Sequence, residues 1–525
     1  MNSTRRWFGT LAVAPILFAA GLAHAEGPRT HRPLCDPLRA RPGEMRCYAH
    51  ALTNPDGTIH SSAAPQGYGP ADLAAAYSIP AHGPGDGKIV AIVDANDSPD
   101  VESDLAMYRS TFGLPACTTA NGCFIKLNQD GVAGSYPAAD TGWAGEIALD
   151  VDMVSAVCPT CKIMLVEASS ANTDDLGVAL LTAIKKGAVA VSNSYGGGES
   201  SGSGDVAQDT QYFGNHPGIL ITASAGDNGY GASYPATSTY VLAIGGTSLV
   251  QDSSSRGWSE TAWDSTGSGC SAEFPRPAWQ SALPAACTKR MESDISASAD
   301  PQNAVATYCS NTDCGSGSGW VPVGGTSESS PIIAGLFTLL GLNTHPPSWY
   351  YSNTDKFYDV TSGSNGSCSS SGKYYCNAGT GYDGPTGWGS PNSTKLASGG
   401  VQTGPDAGAG DDAGSSSGDG GATSGDGGAT GDDGGTTSGD DGGTVGTGDD
   451  AGSIYTPPPS TDEDSGATTT VAGDAGNNGF GSGGPASSSG CSCNAPGTQS
   501  PLGETGTTML ALGAIALLVS RRRRD

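Results

Sequence analysis

In the stretch VGGTSESSPIIAG, residues 323–335, Ser327 follows a Gly-Gly-Thr turn and precedes an apolar run. A serine so placed sits at the positive end of a predicted helix, with Pro331 expected in the first turn, and reads as a nucleophile or as a plain N-cap. A hydroxyl attacks a carbonyl only when a neighbouring group takes its proton. That group is most often histidine, and an Asp–His–Ser order would begin at Asp94, the end of the apolar strand IVAIVD. Between Asp94 and His216 the chain has no histidine; His82 comes too early, His216 sits in NHPGI, and His345 follows the serine. An imidazole base is excluded in that order.

The expected place is filled by TGWAGEIALDVDMV, in which Glu146 and Asp150 stand four residues apart. On a helix that spacing puts both carboxylates on one face, where like charges repel by roughly a few tenths of a kcal/mol. As chemistry, Glu146 can accept the serine proton while Asp150 holds and orients it. A carboxylate base with a reference pKa of about 4.3 suits acid conditions. Asp227, in ITASAGDNG (221–229), ends a buried strand at a tight glycine turn. Ionised, it would repel an oxyanion; protonated, it can donate to one, a contribution of about 3–4 kcal/mol. A turn aspartate closing an Asx hydrogen bond is the plainer reading.

The elements that must position these residues are legible as well. KIVAIVDA (88–95), KIMLVEAS (162–169), AVAVSNSYG (188–196), GILITASAG (218–226) and YVLAIGGTS (240–248) read as buried strands. GEIALDVDMVSAV (145–157) and TDDLGVALLTAIKKG (173–187) read as helices between them. Near-continuous apolar strands alternating with helices predict an α/β fold, a mostly parallel sheet covered on both faces.

Glu146, Asp150, Asp227 and Ser327, in this order, resemble the sedolisin family of serine-carboxyl peptidases. The likeness runs over about residues 66–395 and includes Ser-Tyr-Gly at 194–196, WSETAW (258–263), SDISASADP (293–301) and GWVPVGGTSESSP (319–331). It implies a subtilisin-like fold, a Ser-Glu-Asp triad with Asp227 supporting the oxyanion, and acid endopeptidase activity on proteins or peptides through an acyl-enzyme. FYDVTSGSN (357–365) and NAGTGYDGPTGWGSPN (377–392) are similar to the two halves of the family's calcium site. They imply one structural calcium held by the carboxylates of Asp359 and Asp383 and the carbonyls of Val360, Gly379 and Gly381. Two carboxylates, three carbonyls and water meet that ion's need for six to eight oxygens. The chain departs from the family in one respect: 26–65 is too short for the family's propeptide domain. A catalytically silent surface-binding protein on the same fold is the competing reading.

The rest of the chain sets the context. The formal charge of -28 excludes nucleic acid and anionic membranes as partners that Lys and Arg would hold. Residues 1–25 have the form of a signal peptide: Arg5 and Arg6, an apolar stretch, then Ala23-His24-Ala25. The run TRRWF (4–8) is similar to a twin-arginine signal, so the export route stays open. The first twelve of fourteen cysteines fall as near neighbours, 35/47, 117/123, 158/161, 270/287, 309/314 and 368/376, the pattern of local disulfides in an exported chain. The CxxC at 158–161 could instead be a redox or zinc motif, although zinc needs a second ligand pair and the chain has no other CxxC.

The catalytic domain is expected at 66–398, followed by a Gly/Asp/Ser/Thr-rich linker at 399–487 and a tail at 488–525. Glycine, at 81 residues, is more than twice its usual share, and much of the excess lies in that linker. Such a segment cannot offset its ordering entropy and acts as a spacer of about 50 Å or more. The tail combines Cys491-Ser492-Cys493, an apolar stretch from Thr507 to Ser520 and Arg521 to Arg524. It resembles the MYXO-CTERM type of sorting tag, which implies a membrane sorting protease as partner and display at the cell surface. A short transmembrane anchor is the alternative, although a full span needs roughly 20 apolar residues. A monomer is expected.

Overall fold

Strands that are apolar on both faces can be buried only if helices cover both sides of the sheet they form. A computed structural model of the chain describes residues 30–36, 43–199, 204–310, 319–368 and 370–398. The signal peptide, linker, sorting tag and anchor expected from the sequence lie outside them.

The N-terminal segment contributes β1 (His31–Pro33), β2 (Arg46–Cys47) and β3 (His50–Leu52), followed by α1 (Pro70–Tyr77). Next come β4 (Ile89–Ala95), α2 (Val101–Thr111), β5 (Phe124–Asn128), α3 (Thr141–Val157) and β6 (Lys162–Ala168). The middle of the chain gives α4 (Thr173–Lys185), β7 (Ala190–Asn193), β8 (Tyr195–Gly198), α5 (Gly204–Gln208), β9 (Leu220–Ser224), β10 (Ser233–Tyr234) and β11 (Leu242–Gln251). Then follow β12 (Trp258–Ala262), β13 (Gly269–Pro275), β14 (Lys289–Glu292), β15 (Ile295–Ser298), β16 (Val305–Cys309), β17 (Gly319–Gly324) and α6 (Thr326–Leu339).

The central sheet has the order β12-β11-β9-β7-β4-β6-β5, with β15 also paired to β11. Every pairing in it is parallel except β11 with β12. Register alternates the core faces along β4. Val90 and Ile92 join α1, α2, α3 and α6 in one apolar core, while Ala91 and Val93 join α4 in the other. The expected fold class is therefore present.

Two details differ from the sequence reading. AVAVSNSYG is not one strand: β7 pairs with β4 and β9, whereas β8 turns into a small sheet between β10 and β2. The chain leaves the central sheet at Ser194, whose carbonyl is used in the site. Pro331 is not in the first turn of α6 but inside the helix, whose first residue is Thr326. Its missing N–H leaves the Ser327 carbonyl without the usual helical partner, and the Ser194 hydroxyl donates to that oxygen at 3.4 Å.

Disulfides close 35–47, 117–123, 158–161, 270–287 and 368–376. Cys158 and Cys161 thus form a bridge of the expected kind. Cys309 is disulfide-bonded too, and its expected partner, Cys314, lies outside the described residues.

Candidate active site

Parallel sheets gather function where neighbouring connections leave in opposite directions at the carboxyl ends of strands. Here β4 lies between β6 and β7, its Ile92 in register with Ser192, so Asp94 and Ser194 each follow two residues beyond that pair. α3 crosses beside this edge. Its N-cap, Asp140, accepts hydrogen bonds from the N–H groups of Gly142 and Trp143 at 2.9 and 3.1 Å. From Gly142 to Val157 every residue of α3 is buried, including Glu146, Asp150 and Asp152. Asp152 points elsewhere, accepting from the Tyr308 N–H at 2.9 Å.

Glu146 and Asp150 are fully buried beside Asp94. Oε2 of Glu146 accepts the Ala49 N–H at 2.8 Å, whereas Oε1 and both oxygens of Asp150 and of Asp94 have no conventional donor. Burial, then the charge of Asp94, pushes Glu146 and Asp150 well above the carboxylate range. Burial takes Asp94 itself to about 8. Three acids this close cannot all ionise, so they hold shared protons.

Ser327 is the second residue of α6, which packs on α3 so closely that a Cβ on Gly335 would lie 2.7 Å from Val157 Cγ2. Its hydroxyl donates to the Ser194 carbonyl at 3.1 Å and accepts the Tyr48 N–H at 3.1 Å. It also lies near enough to Glu146 to favour the charged form of that acid, without closing a full hydrogen bond to Oε1.

Asp227 follows β9 on the other side of the serine. Its Oδ1 accepts from the N–H and hydroxyl of Thr326 at 2.9 and 2.6 Å, which leaves Oδ2 as the free seat for a proton. Burial raises its pKa to about 7 against the pull of those Thr326 bonds. Gly325, between Asp227 and the nucleophile, has φ +106° and no room for a side chain. A Cβ there would fall 2.0 Å from the Tyr48 carbonyl oxygen and 2.6 Å from Asp227 Oδ2. Among the described residues no imidazole is hydrogen-bonded to Ser327, whose hydroxyl partners are the Ser194 carbonyl and the Tyr48 N–H. His50 is held neutral by burial, its pKa lowered to about 3, and its Nε2 lies 3.5 Å from Asp227 Oδ2.

Glu146, Asp150, Asp227 and Ser327 are thus gathered at one place. Three residues at the site escaped sequence reading. Asp94 was noted only as the start of an Asp–His–Ser order, although its strand-end position was the signal for a third acid. The contribution of Tyr48 and Ala49 had no signal beyond the cysteine pair 35/47 that closes their segment.

Two of the expected calcium ligands, Asp359 and Asp383, each accept a backbone N–H from the 379–381 turn. Asp359 Oδ2 accepts the Gly381 N–H at 3.0 Å, and Asp383 Oδ2 accepts the Gly379 N–H at 2.9 Å. Burial raises Asp383 to about 7, with a smaller push from Asp359. Two facing acids with no neutralising base among their described partners form a donor set that fits a hard cation. Val360 is buried beside Asp359.

A subtilase family profile matches residues 133–353. The chain is 32% identical to kumamolisin from Bacillus sp. (strain MN-32), over 64% of each. It is 27% identical to sedolisin from Pseudomonas sp. (strain 101), over 63% of this chain and 61% of that one. It therefore spans a little under two thirds of the length of these relatives. The solved structure of Pseudomonas sedolisin, described as a serine-carboxyl proteinase complexed with two molecules of pseudo-iodotyrostatin, is similar with a TM-score of 0.54. Identity is 26%, and the likeness covers 64% of this chain and 98% of that one.

Proposed function

We propose that this chain, which belongs to the sedolisin and kumamolisin group of the subtilases, hydrolyses peptide bonds in acid through Ser327. The observation that supports this most is a buried serine hydroxyl flanked by Glu146 on one side and Asp227 on the other, with no imidazole in contact with it.

In this reading Glu146 takes the hydroxyl proton as Oγ attacks the substrate carbonyl carbon. Asp150 and Asp94 hold the proton balance of Glu146, so one charge is spread over three acids and the base is orientated. Asp227, protonated on Oδ2, donates to the oxyanion. Glu146 then gives its proton to the departing amine, and water repeats the cycle on the acyl-enzyme. Two conditions bound the activity. Asp227 must keep its proton, and the acid cluster must have lost at least one. Entry of water into an open cleft lowers both Asp227 and the cluster toward ordinary carboxylate values, which puts the working range in acid.

One calcium ion would be held by Asp359 and Asp383 with the carbonyls of Val360, Gly379 and Gly381. It would neutralise two facing acids and stiffen the loop that Cys368–Cys376 closes. Export to the cell exterior is inferred from the disulfides, and surface display from the tail outside the described residues. The alternative, a silent binding protein on the same fold, is separated by one assay. Full-length protein and Ser327→Ala are incubated with denatured protein at about pH 4 and about pH 7. Acid hydrolysis lost in the variant supports the enzyme; equal and negligible hydrolysis by both ends it.

A further inference from the structure

Glu328, next to the nucleophile, takes no part in the chemistry described above, yet it is fully buried. It is the third residue of α6, where an acid ordinarily turns back to the N–H of the residue before the helix. Here that N–H, on Gly325, already donates to the Ala299 carbonyl. Among the described residues neither oxygen of Glu328 has a hydrogen-bond partner. Ser298 Oγ, as buried and as unpartnered, lies near enough to favour the charged form of the acid without closing a full hydrogen bond. Asp300, beyond β15, opposes a charge there. Tyr77 of α1 and Tyr68 before it face the acid as phenols that burial keeps neutral. Arg256, which acts on Tyr77, is paired with Glu260 at 2.7 Å. Glu146 and Asp150 from α3, and Asp227 after β9, bring acids to the start of α6 as well.

The dipole at the start of α6 favours a negative charge at this position, but burial outweighs it and holds Glu328 well above the carboxylate range. A buried carboxyl without donors persists as the neutral acid. The free group titrates at 4.5, so the fold keeps a proton that the unfolded chain gives up, and stability falls as pH rises past that value. What the charged form would disturb is the seat of the nucleophile. Ser298 ends β15, Ala299 to Pro301 follow, and the turn Gly324-Gly325 is wedged against them. A Cβ on Gly324 would fall 2.6 Å from the Ala299 carbonyl oxygen and 2.7 Å from the Pro301 nitrogen. The Gly325 carbonyl accepts the Glu328 N–H at 2.9 Å, so turn and acid move together. A charge on Glu328 must admit water or withdraw from Asp300, and either motion parts the turn from residues 298–301.

We propose that Glu328 is a proton-dependent positioning residue: with its proton it seats the turn that presents Ser327, and by losing that proton as pH rises it withdraws the nucleophile. It acts through the turn and touches neither substrate nor the attacking oxygen. Its effect is separate from the titration of Glu146, Asp150 and Asp227, which governs the chemistry while the seat is intact. The catalytic consequence rests on the serine-carboxyl reading, whereas the hold on the turn rests on burial and packing. On this account the chain carries a second tie to acid conditions, one residue beyond its nucleophile and outside its proton traffic.

The test uses the full chain in two forms. In Ser327→Ala protein, hydrogen exchange over residues 319–331 is followed by mass spectrometry from about pH 5 to about pH 8, corrected for the intrinsic rise of exchange with pH. Expected is an excess of about tenfold or more at the upper pH, absent when Glu328→Gln is added. In protein that keeps Ser327, hydrolysis of denatured protein at about pH 4 is assayed after holding at about pH 8, each protein against its own starting value. Expected is a half-life extended about tenfold or more by Glu328→Gln. Should the amide misfold by circular dichroism, Glu328→Met, uncharged and of like length, shows both effects. Exchange and half-life that respond to pH alike with and without the acid overturn this proposal and leave the enzyme standing. An equal loss at every pH in both variants makes Glu328 a packing residue and overturns it too. If the unmodified chain hydrolyses nothing at about pH 4, the enzyme reading fails and the catalytic part of this proposal falls with it, whatever the exchange shows.

Discussion

In the proposed role Asp227 carries two opposed demands, since it must be buried to keep a proton and bonded tightly enough to stay aimed. The Thr326 N–H and hydroxyl satisfy one oxygen and leave the other to titrate. Replacing the acid by an amide removes the need for that proton. Asp227→Asn should keep activity within about tenfold of the parent and move the alkaline limb of the pH profile upward, because a permanent donor replaces one lost as pH rises through about 7. Asp227→Ala should lower kcat by about 10²–10³-fold at every pH. Steady-state kinetics across pH check both. The four residues proposed to carry the chemistry were legible because a missing histidine and paired acids leave a mark in the chain. Asp94 was not, since a strand-end aspartate alone does not say which acids will meet it.

At the scale of elements, the proposed catalytic groups come from α3, α6 and the ends of β4, β7 and β9, none of which could shift without separating them. The turn Gly324-Gly325 is where this constraint is tightest. Gly325→Ala would place a methyl 2.0 Å from the carbonyl oxygen now in the cleft, at φ +106°, a conformation L residues rarely adopt. We expect a fold retained by circular dichroism and kcat/KM lowered by about 10²-fold or more. Strands and helices of the central layers were readable from apolar runs, because a strand buried on both faces has no polar alternation to confuse it. The split of β7 from β8 was not, since only tertiary pairing decides where a continuous apolar run changes sheet. Likewise Pro331 looked like a first-turn residue, and only the start of α6 at Thr326 revealed the carbonyl it frees.

Across the whole molecule, buried acids link stability to pH. In the folded chain Asp94 and Asp227 release their protons at about 8 and about 7, against 3.8 for the free group. The native state therefore binds more protons than the unfolded one between those limits, and stability must fall as pH rises through them. Ser327→Ala protein, which cannot digest itself, should melt at a higher temperature at about pH 4 than at about pH 8; the opposite order would mean that these acids are ionised in the fold. At fixed pH near neutrality, removal of calcium by a chelator should lower Tm by about 5 °C if Asp359 and Asp383 hold it. An unchanged Tm removes the ion from the account. The N-terminal segment is the part of the architecture least visible in the sequence. Its residues are polar and short, and their strands exist only because β8 and β17 supply edges to pair with.

The central claim is that acids, and no imidazole, serve the attacking hydroxyl. The measurement that bears on it most directly is the pH dependence of kcat/KM for a peptide substrate, taken on the parent protein and on Glu146→Gln. We predict an acid optimum for the parent and a loss of about 10⁴-fold or more in the variant at all pH values. A neutral optimum governed by a single group near 6.5, or a Glu146→Gln protein that keeps its activity, would contradict it.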